Sequence, residues 1–377
     1  MKFFHIGDLH LGKKIYDFSM IDDQKYILSQ IIEKAEEENI DAILISGDVY
    51  DKAIPPIEAV RLLDAFLTKL SDRNIAVFMI SGNHDSAYRL DFASRILHEK
   101  NIHIYGSFAG EVKPITIKDQ WGEVDLYLLP FIKPAVVSQF FEGDITTYQK
   151  GMELVINQIE LDIQRRNVLL AHQFVTWHGE AEQSDSETYS LGGIDEIDAR
   201  VFFDFDYVAL GHLHSPQKIG KNEIRFAGSP LAYSFSEIRR KKVITKVELK
   251  EKGDIEMDFI PLTPKRALRE IKGNLSDLLD AARAEEKSED YIRAILTDTT
   301  PLNDPVGQLR AWYPNLMTLE VVTHANDQET QLHYSADEMS PQELFELFFE
   351  QQNMKEMNTT QKLMVKKAWE GLEDEAE

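Results

Sequence analysis

The chain has 377 residues, a net charge of −24, 43% hydrophobic and 28% charged residues, and no cysteine. That length can hold a large core and more than one domain, and the lack of cysteine excludes disulfides and thiolate metal sites, which fits the cytoplasm. The acidity excludes a polycation that coats nucleic acid, though not a protein that binds phosphates locally, and no stretch reaches the roughly 20 apolar residues that span a bilayer. A signal peptide is not expected, because Asp8 and His10 already belong to the first strand and its loop.

The elements follow in chain order. FFHIGD, from Phe3, reads as a strand, and Gln24 to Glu38 carries a helical stripe of Ile27, Leu28, Ile31, Ile32 and Ala35. AILIS, from Ala42, is the second strand. Pro55 and Pro56 open a helix with Ala59, Val60, Leu63, Phe66, Leu67 and Leu70 on its inner face, and VFMIS, from Val77, is the third strand. This βαβαβ order implies parallel strands with right-handed crossovers. A second pass between Ile102 and Leu249 holds LYLLPF, VLLAHQF, YVALGHL, EIRFAGS and VITKVEL. The fold class expected is α/β, two packed sheets flanked by helices, with residues 1–262 as one domain.

The pattern changes after Pro261 and Pro264. RALREIKG, YIRAILTD and LMTLEVVT read as strands, with helices over Asn274–Arg283 and Val306–Trp312, so residues 263–324 form a small α+β domain. A polar linker, 325–339, leads to two helices in 340–377. Ser340-Pro341-Gln342-Glu343 is a capping box ahead of Leu344, Phe345, Leu347, Phe348 and Phe349. Asn358, with Gln361, caps a second helix bearing Leu363, Met364, Val365, Ala368, Trp369 and Leu372. From Asn326 to Glu377 there are 13 acidic and 4 basic residues, a net of −9.

Seven potential metal ligands lie along the chain, nearly all just after an apolar run: Asp8, His10, Asp48, Asn83, His172, His212 and His214. An apolar run, then glycine, then a ligand reads as the C-terminal end of a buried strand, and several such ends side by side gather ligands on one rim. Asp8 with His10, and His212 with His214, are spaced so that in an extended segment both members of a pair point one way. Asp48 follows a buried strand, where a carboxylate can bridge two cations. Carboxylate, imidazole and amide donors without cysteine suit Mn²⁺, Fe²⁺ or Zn²⁺ in a hydrolytic pair of metals. The basic run Arg239, Arg240, Lys241, Lys242 reads as a solvated strand edge or, alternatively, as a contact for nucleic-acid phosphates.

These motifs in this order (D-x-H, G-D-x-x-D, G-N-H-D, an isolated His, G-H-x-H) resemble the calcineurin-like metallophosphoesterases. More narrowly, the chain is similar to the bacterial nuclease subunits of that family that work with an SMC-like ATPase. The resemblance covers essentially the whole chain, including the run from Phe226 to Glu237 that follows the last ligands. It implies the two-sheet metallophosphoesterase sandwich flanked by helices, a small α+β cap and C-terminal helices. It also implies two divalent ions, Mn²⁺ in these relatives, one on Asp8, His10, Asp48 and His214 and the other on Asp48, Asn83, His172 and His212. His84 would stabilise charge or protonate the leaving 3′ oxygen, and the Asp51 carboxylate would accept a hydrogen bond from His84. Lys52-Ala53 stands where protein phosphatases carry Arg-Gly, and the third motif ends in Asp85 rather than Glu, both against a protein phosphatase.

The activity so implied is a double-strand exonuclease and single-strand or hairpin endonuclease acting on DNA ends, nucleoid-associated, in a heterotetramer with the ATPase and with a homodimer through the nuclease domain. Leu344, Phe345, Phe348, Val365, Trp369 and Leu372 would then grip the base of the ATPase coiled coil. The chain has no G-x-x-x-x-G-K-S/T loop of its own, so ATP dependence must come from that partner. The alternatives are a stand-alone phosphoesterase acting on nucleotides or cyclic nucleotides, and a scaffold without catalysis. A scaffold has no need of seven ligands and His84.

Overall fold

Buried strands alternate with amphipathic helices from the first residues. β1 (Lys2–Ile6), β2 (Ala42–Ser46) and β3 (Ala76–Ile80) are almost wholly buried, and α1 (Ile21–Glu37) and α2 (Ile57–Asp72) connect them. Each helix turns one stripe inward: Ile27, Leu28, Ile31, Ile32 and Ala35 on α1; Ala59, Leu63, Phe66, Leu67 and Leu70 on α2. The computed structural model describes residues 1–182, 184–187, 195–285, 288–322, 345–346, 349 and 357–365. They divide into two compact units, Met1–Arg269 and Glu270–Glu377.

In the first unit β4 (Ile102–Tyr105) completes a parallel run with β1, β2 and β3. A second sheet contains β5 (Pro114–Asp119), β6 (Gly122–Leu129), β7 (Arg166–His172), β8 (Tyr207–Gly211), β9 (Gln217–Ile219) and β10 (Lys221–Phe226). Its order is β9-β10-β8-β7-β6-β5, with β10, β8, β7 and β6 parallel and the two edge strands antiparallel. The chain then returns to the first sheet. β11 (Val243–Leu249) pairs antiparallel with β1, and β12 (Ile255–Pro261) with β11, giving the order β12-β11-β1-β2-β3-β4. The sequence places VITKVEL with the later strands, but its apolar alternation is satisfied equally by either sheet, and β1 had an open edge.

The sheets pack face to face. Phe3, Leu44, Phe78 and Val247 of one meet Leu126, Leu128, Val168, Leu170, Tyr207 and Ala209 of the other. Alternate residues, Tyr127, Leu129, Leu169, Ala171, Val208 and Leu210, face outward against Met152, Val155 and Ile156 of α3 (Tyr148–Asn157). Burial on both faces explains why these strands read as unbroken apolar runs, and each fully buried leucine contributes about 1.5–3 kcal/mol. The parallel strands all end on one rim. β1, β2, β3 and β8 run directly into the Asp8, Asp48, Asn83 and His212 loops, and β7 ends at His172 itself.

The second unit has a three-stranded sheet, order β13-β14-β15, of β13 (Leu268–Gly273), β14 (Tyr291–Leu296) and β15 (Leu316–Val321). Helices α4 (Leu275–Glu285) and α5 (Pro305–Arg310) cover it, and its core gathers Leu278, Ala282, Ile292, Leu309 and Tyr313. Residues 359–365 are helical, capped as the sequence indicates: Asn358 and Gln361 exchange backbone-to-side-chain bonds of 2.9 and 3.0 Å. The capping box at Ser340, with Leu344, Phe348, Trp369 and Leu372, lies outside the described residues. Phe345 and Val365 are described and partly exposed. Among the described residues no helix is long and apolar enough to cross a membrane.

Candidate metal centre

The rim loops are stitched together before any ligand is considered. The backbone N–H groups of Asp8 and His10 donate to the carbonyls of Gly47 and Asp48 at 3.0 and 2.9 Å, and His212 N–H donates to the Asp8 carboxylate at 2.9 Å. Four ligand positions sit at positive φ although none is glycine: Asp8 at 52°, His10 at 44°, Asp48 at 47° and His212 at 110°. Such strain persists only where surrounding bonds enforce it. Gly47, at φ 90°, lets β2 turn beneath His172, since a Cβ there would overlap the imidazole ring. Gly211 lies so close to the Ser46 carbonyl that a side chain there would displace the backbone of β2.

All seven sequence-derived ligands come together in this first unit. Asp8, His10 and His214 converge, with 3.1 Å between the Nε2 atoms of His10 and His214. Asn83 Oδ1 lies 3.0 Å from His172 Nε2 and 3.0 Å from His212 Nδ1. Asp48 Oδ2 stands between the two groups, 3.5 Å from His172 Nε2 and 3.7 Å from His10 Nε2. The paired histidines therefore part company: His214 joins Asp8 and His10, whereas His212 joins Asn83 and His172. The spacing argument for a shared direction fails here because His212 is at φ 110° rather than extended.

The donor chemistry fits divalent cations. His172 Nδ1–H donates to the Ser46 carbonyl at 2.8 Å, which turns Nε2 towards the Asn83 carbonyl oxygen and the Asp48 carboxylate. Burial lowers His172, but the Asp48 carboxylate outweighs it and pushes the ring up to about 9, so a cation bound there would take the place of the Nε2 proton. Burial holds His10 well below the usual histidine range and His212 down to about 3, which keeps both rings neutral as ligands. Burial pushes the Asp48 carboxyl up, but His172, His10 and His84 outweigh it and hold it well below the usual range, as an anion. One ion would be held by Asp8, His10 and His214, the other by Asn83, His172 and His212, with Asp48 reaching both.

His84 is half-buried beside this cluster, its ring centroid 4.8 Å from that of His10. Its backbone N–H donates to Asp48 Oδ1 at 2.9 Å, and its Nδ1 donates to the backbone carbonyl of Asp51 at 2.9 Å. The expected bond from His84 to the Asp51 carboxylate is thus replaced by one to the Asp51 main chain. The carboxylate turns instead to Lys13 Nζ at 2.8 Å and lies 3.8 Å from His10 Nδ1, because an ammonium is the stronger partner. The effect on His84 is the same: Nδ1 carries a hydrogen, and Nε2 takes no part in that bond.

Asp85, Gln24 and Tyr233 complete the frame. The Asp85 carboxylate accepts from the backbone of Val49, Tyr50 and Gly82, tying the Asp48 loop to the Asn83 loop. Gln24 donates to the His10 carbonyl at 2.7 Å, and Tyr233 to the Leu9 carbonyl at 2.5 Å. The partners of Gln24 and Tyr233 lie many residues away, and nothing local in the sequence marks those two, whereas Asp85 closes the G-N-H-D motif and reaches back to Gly82 within it.

The basic run divides. Arg239 and Lys241 are exposed, and Arg240 bonds to Ser215. Lys242 is buried, with Nζ 2.6 Å from Glu237 Oε2, 2.8 Å from Ser229 Oγ and 3.0 Å from the His214 carbonyl. Lys242 is therefore not a phosphate contact, since all three of its ammonium hydrogens are engaged inside the protein.

A rim of parallel strands carrying two histidine–carboxylate clusters, with one more histidine beside them, defines a metal-dependent phosphoesterase. The chain belongs to the calcineurin-like phosphoesterases, whose family model matches residues 1–216. A second model, the type 5 capsule protein repressor C-terminal domain, matches residues 264–353. Over 366 residues the chain is 32% identical to SbcD of the SbcCD nuclease from Staphylococcus epidermidis (strain ATCC 12228 / FDA PCI 1200), covering 96% of this chain and 95% of that protein. Among solved structures, a dimetal phosphatase from Danio rerio aligns with 12% identity and a TM-score of 0.43, covering 69% of this chain and 95% of that one. The enzyme is thus a metal-dependent phosphodiesterase, a hydrolase of the nuclease type.

Proposed function

We propose that the chain is the nuclease subunit of an SbcCD-type complex, a Mn²⁺-dependent hydrolase of DNA ends and hairpins that works with an SMC-like ATPase, SbcC. The observation that carries this reading is the full-length likeness to a protein named as that subunit, joined to a centre whose donors all face one rim. Bound divalent ions would polarise the phosphodiester and lower the pKa of a water. The chain's own residues do the rest. Asp48 brings both halves of the centre together and also fixes the His84 main chain. The His84 ring, held by its Nδ1–H on the Asp51 carbonyl, presents Nε2; in the imidazolium form its Nε2 hydrogen passes to the leaving 3′ oxygen and the neutral ring remains. The inward-packed strands below give these loops a rigid floor.

The C-terminal residues are the partner contact in this reading. In the helical stretch 359–365, Leu363 and Met364 are 55% and 68% exposed, apolar surface that a docked partner would cover. Full-length protein, mixed with Mn²⁺ and a DNA hairpin, is expected to cleave it, and faster with an SbcC-like ATPase and ATP. Deleting residues 340–377 should abolish co-purification with the ATPase while sparing Mn²⁺-dependent cleavage by the isolated subunit. Hydrolysis of a nitrophenyl phosphodiester with no action on any DNA would overturn the nuclease reading. Unchanged affinity of the truncated chain for the ATPase would overturn the docking role.

The exposed cations give a separate expectation. Arg239→Ala with Lys241→Ala should lower the slope of log K against log salt by about 1–2, as for one or two phosphate contacts. Lys242→Ala should instead cost about 3–5 kcal/mol of folding stability, because it leaves the Glu237 carboxylate buried without its counter-charge. Anisotropy titrations at several salt concentrations and thermal melts separate the two effects. An unchanged slope in the double variant would make Arg239 and Lys241 ordinary solvated residues.

A further inference from the structure

Behind His214 lies a charged network that the hydrolysis scheme does not use. Glu237 is fully buried, and so is nearly all of Lys242. One carboxylate oxygen of Glu237 takes the Lys242 ammonium, and the other takes the Ser186 hydroxyl in a short contact and faces His214 Nδ1 at 3.4 Å. Ser186 Oγ is itself 2.7 Å from His214 Nδ1. The hydrogens have one consistent arrangement: His214 Nδ1–H donates to Ser186, and the Ser186 hydroxyl donates to the carboxylate. His214 is also clamped through its main chain. Its N–H donates to Glu187 Oε1 at 2.5 Å, and its carbonyl accepts from Lys242 at 3.0 Å.

A buried ion pair is a poor device for stability alone, since apolar residues of the same shape are often as stable or more so. What this one does is geometric. We propose that Glu237, held by Lys242 and relayed through Ser186, is the positioning residue that fixes the tautomer and direction of His214, so that its Nε2 lone pair faces His10 and Asp8. The inference rests on His214 being a ligand, but not on the substrate being DNA. The chemistry is that of a carboxylate orienting a metal-binding imidazole through its far nitrogen, with a hydroxyl inserted between them; such partners typically govern metal affinity by 10–100-fold.

The test uses full-length protein stripped of metal. The double variant Glu237→Gln with Lys242→Met removes both buried charges together, and Ser186→Ala removes only the half-exposed relay. Two readouts are taken: the nitrogen-15 shifts of the His214 ring in metal-free protein, and a calorimetric titration with Mn²⁺. In the parent, His214 should show the Nδ1–H form alone. In the double variant the tautomers should mix, and one of the two Mn²⁺ affinities should fall 10–100-fold while the other holds. Ser186→Ala should give the same signature with a smaller loss, and it guards against failure of the double variant to fold. Glu237→Asp with Lys242 intact should recover part of the affinity, which a merely structural role would not predict. An unmixed His214 tautomer and two parental Mn²⁺ affinities in Ser186→Ala, or in a folded double variant, would overturn the proposal. A loss of both affinities at once would count against it too, as general damage to the centre.

Discussion

The Asp48→Asn protein is expected to fold normally and to hydrolyse phosphodiesters at less than about a thousandth of the parental rate, the loss of several kcal/mol of charge stabilisation. Asparagine is the informative replacement. It tolerates the left-handed backbone at φ 47° better than alanine, and its amide oxygen can still accept the His84 N–H. Shape and loop therefore persist, and only the negative charge between His10 and His172 is removed. Because that carboxylate reaches both halves of the centre, its loss should weaken both metal affinities, unlike the one-sided loss expected on disturbing Glu237. Metal content after dialysis and single-turnover rates with saturating Mn²⁺ measure the two consequences. Hydrolysis within tenfold of the parent would sink the shared-ligand assignment.

The ligands were legible because of how buried parallel strands end. A strand covered on both faces must be apolar throughout, and it meets polar residues only where it leaves the sheet. Ile6-Gly7-Asp8, Ser46-Gly47-Asp48 and Leu210-Gly211-His212 are three instances of one physical situation. The glycines belong to the same logic, for Gly47 and Gly211 stand where another rim element leaves no room for a side chain. Spacing alone would send His212 and His214 the same way; the family resemblance implies that they serve different halves, and the backbone turn at His212 is what parts them.

Other features depended on pairings that no local pattern carries. Val243–Leu249 alternates like any strand, so its return to β1 rather than to the second sheet had to be seen. The Asp51 carboxylate finds Lys13, 38 residues away in sequence. Lys242 looks like its neighbours in a basic run. It is in register with Ile244, Lys246 and Glu248, whereas Val247 and Leu249 face the other sheet, so the alternation does not show that its ammonium is buried; a buried lysine requires a buried anion. Glu237, five residues earlier, is that anion.

The His84→Gln protein is expected to keep both metal affinities and to lose about 10²–10⁴-fold in turnover on DNA, the range for a lost acid–base group. The geometry separates the two quantities. His84 Nδ1 is occupied by the Asp51 carbonyl, and its main chain by Asp48, so the side chain supplies Nε2 to substrate rather than to the ligand set. Glutamine retains a hydrogen-bond donor of similar reach but cannot give up a proton, which makes the leaving group the deciding variable. With DNA, the departing 3′ alkoxide is strongly basic and needs that proton. With a nitrophenyl phosphodiester, the departing phenolate is stable without it, and the penalty should shrink towards tenfold or less. The ratio of the two penalties, measured at saturating Mn²⁺ on the same preparation, isolates proton transfer from positioning. Equal penalties on both substrates would mean that His84 stabilises charge on the phosphoryl oxygens instead. Weakened Mn²⁺ binding in calorimetry would make it an eighth ligand, and the acid role would fall.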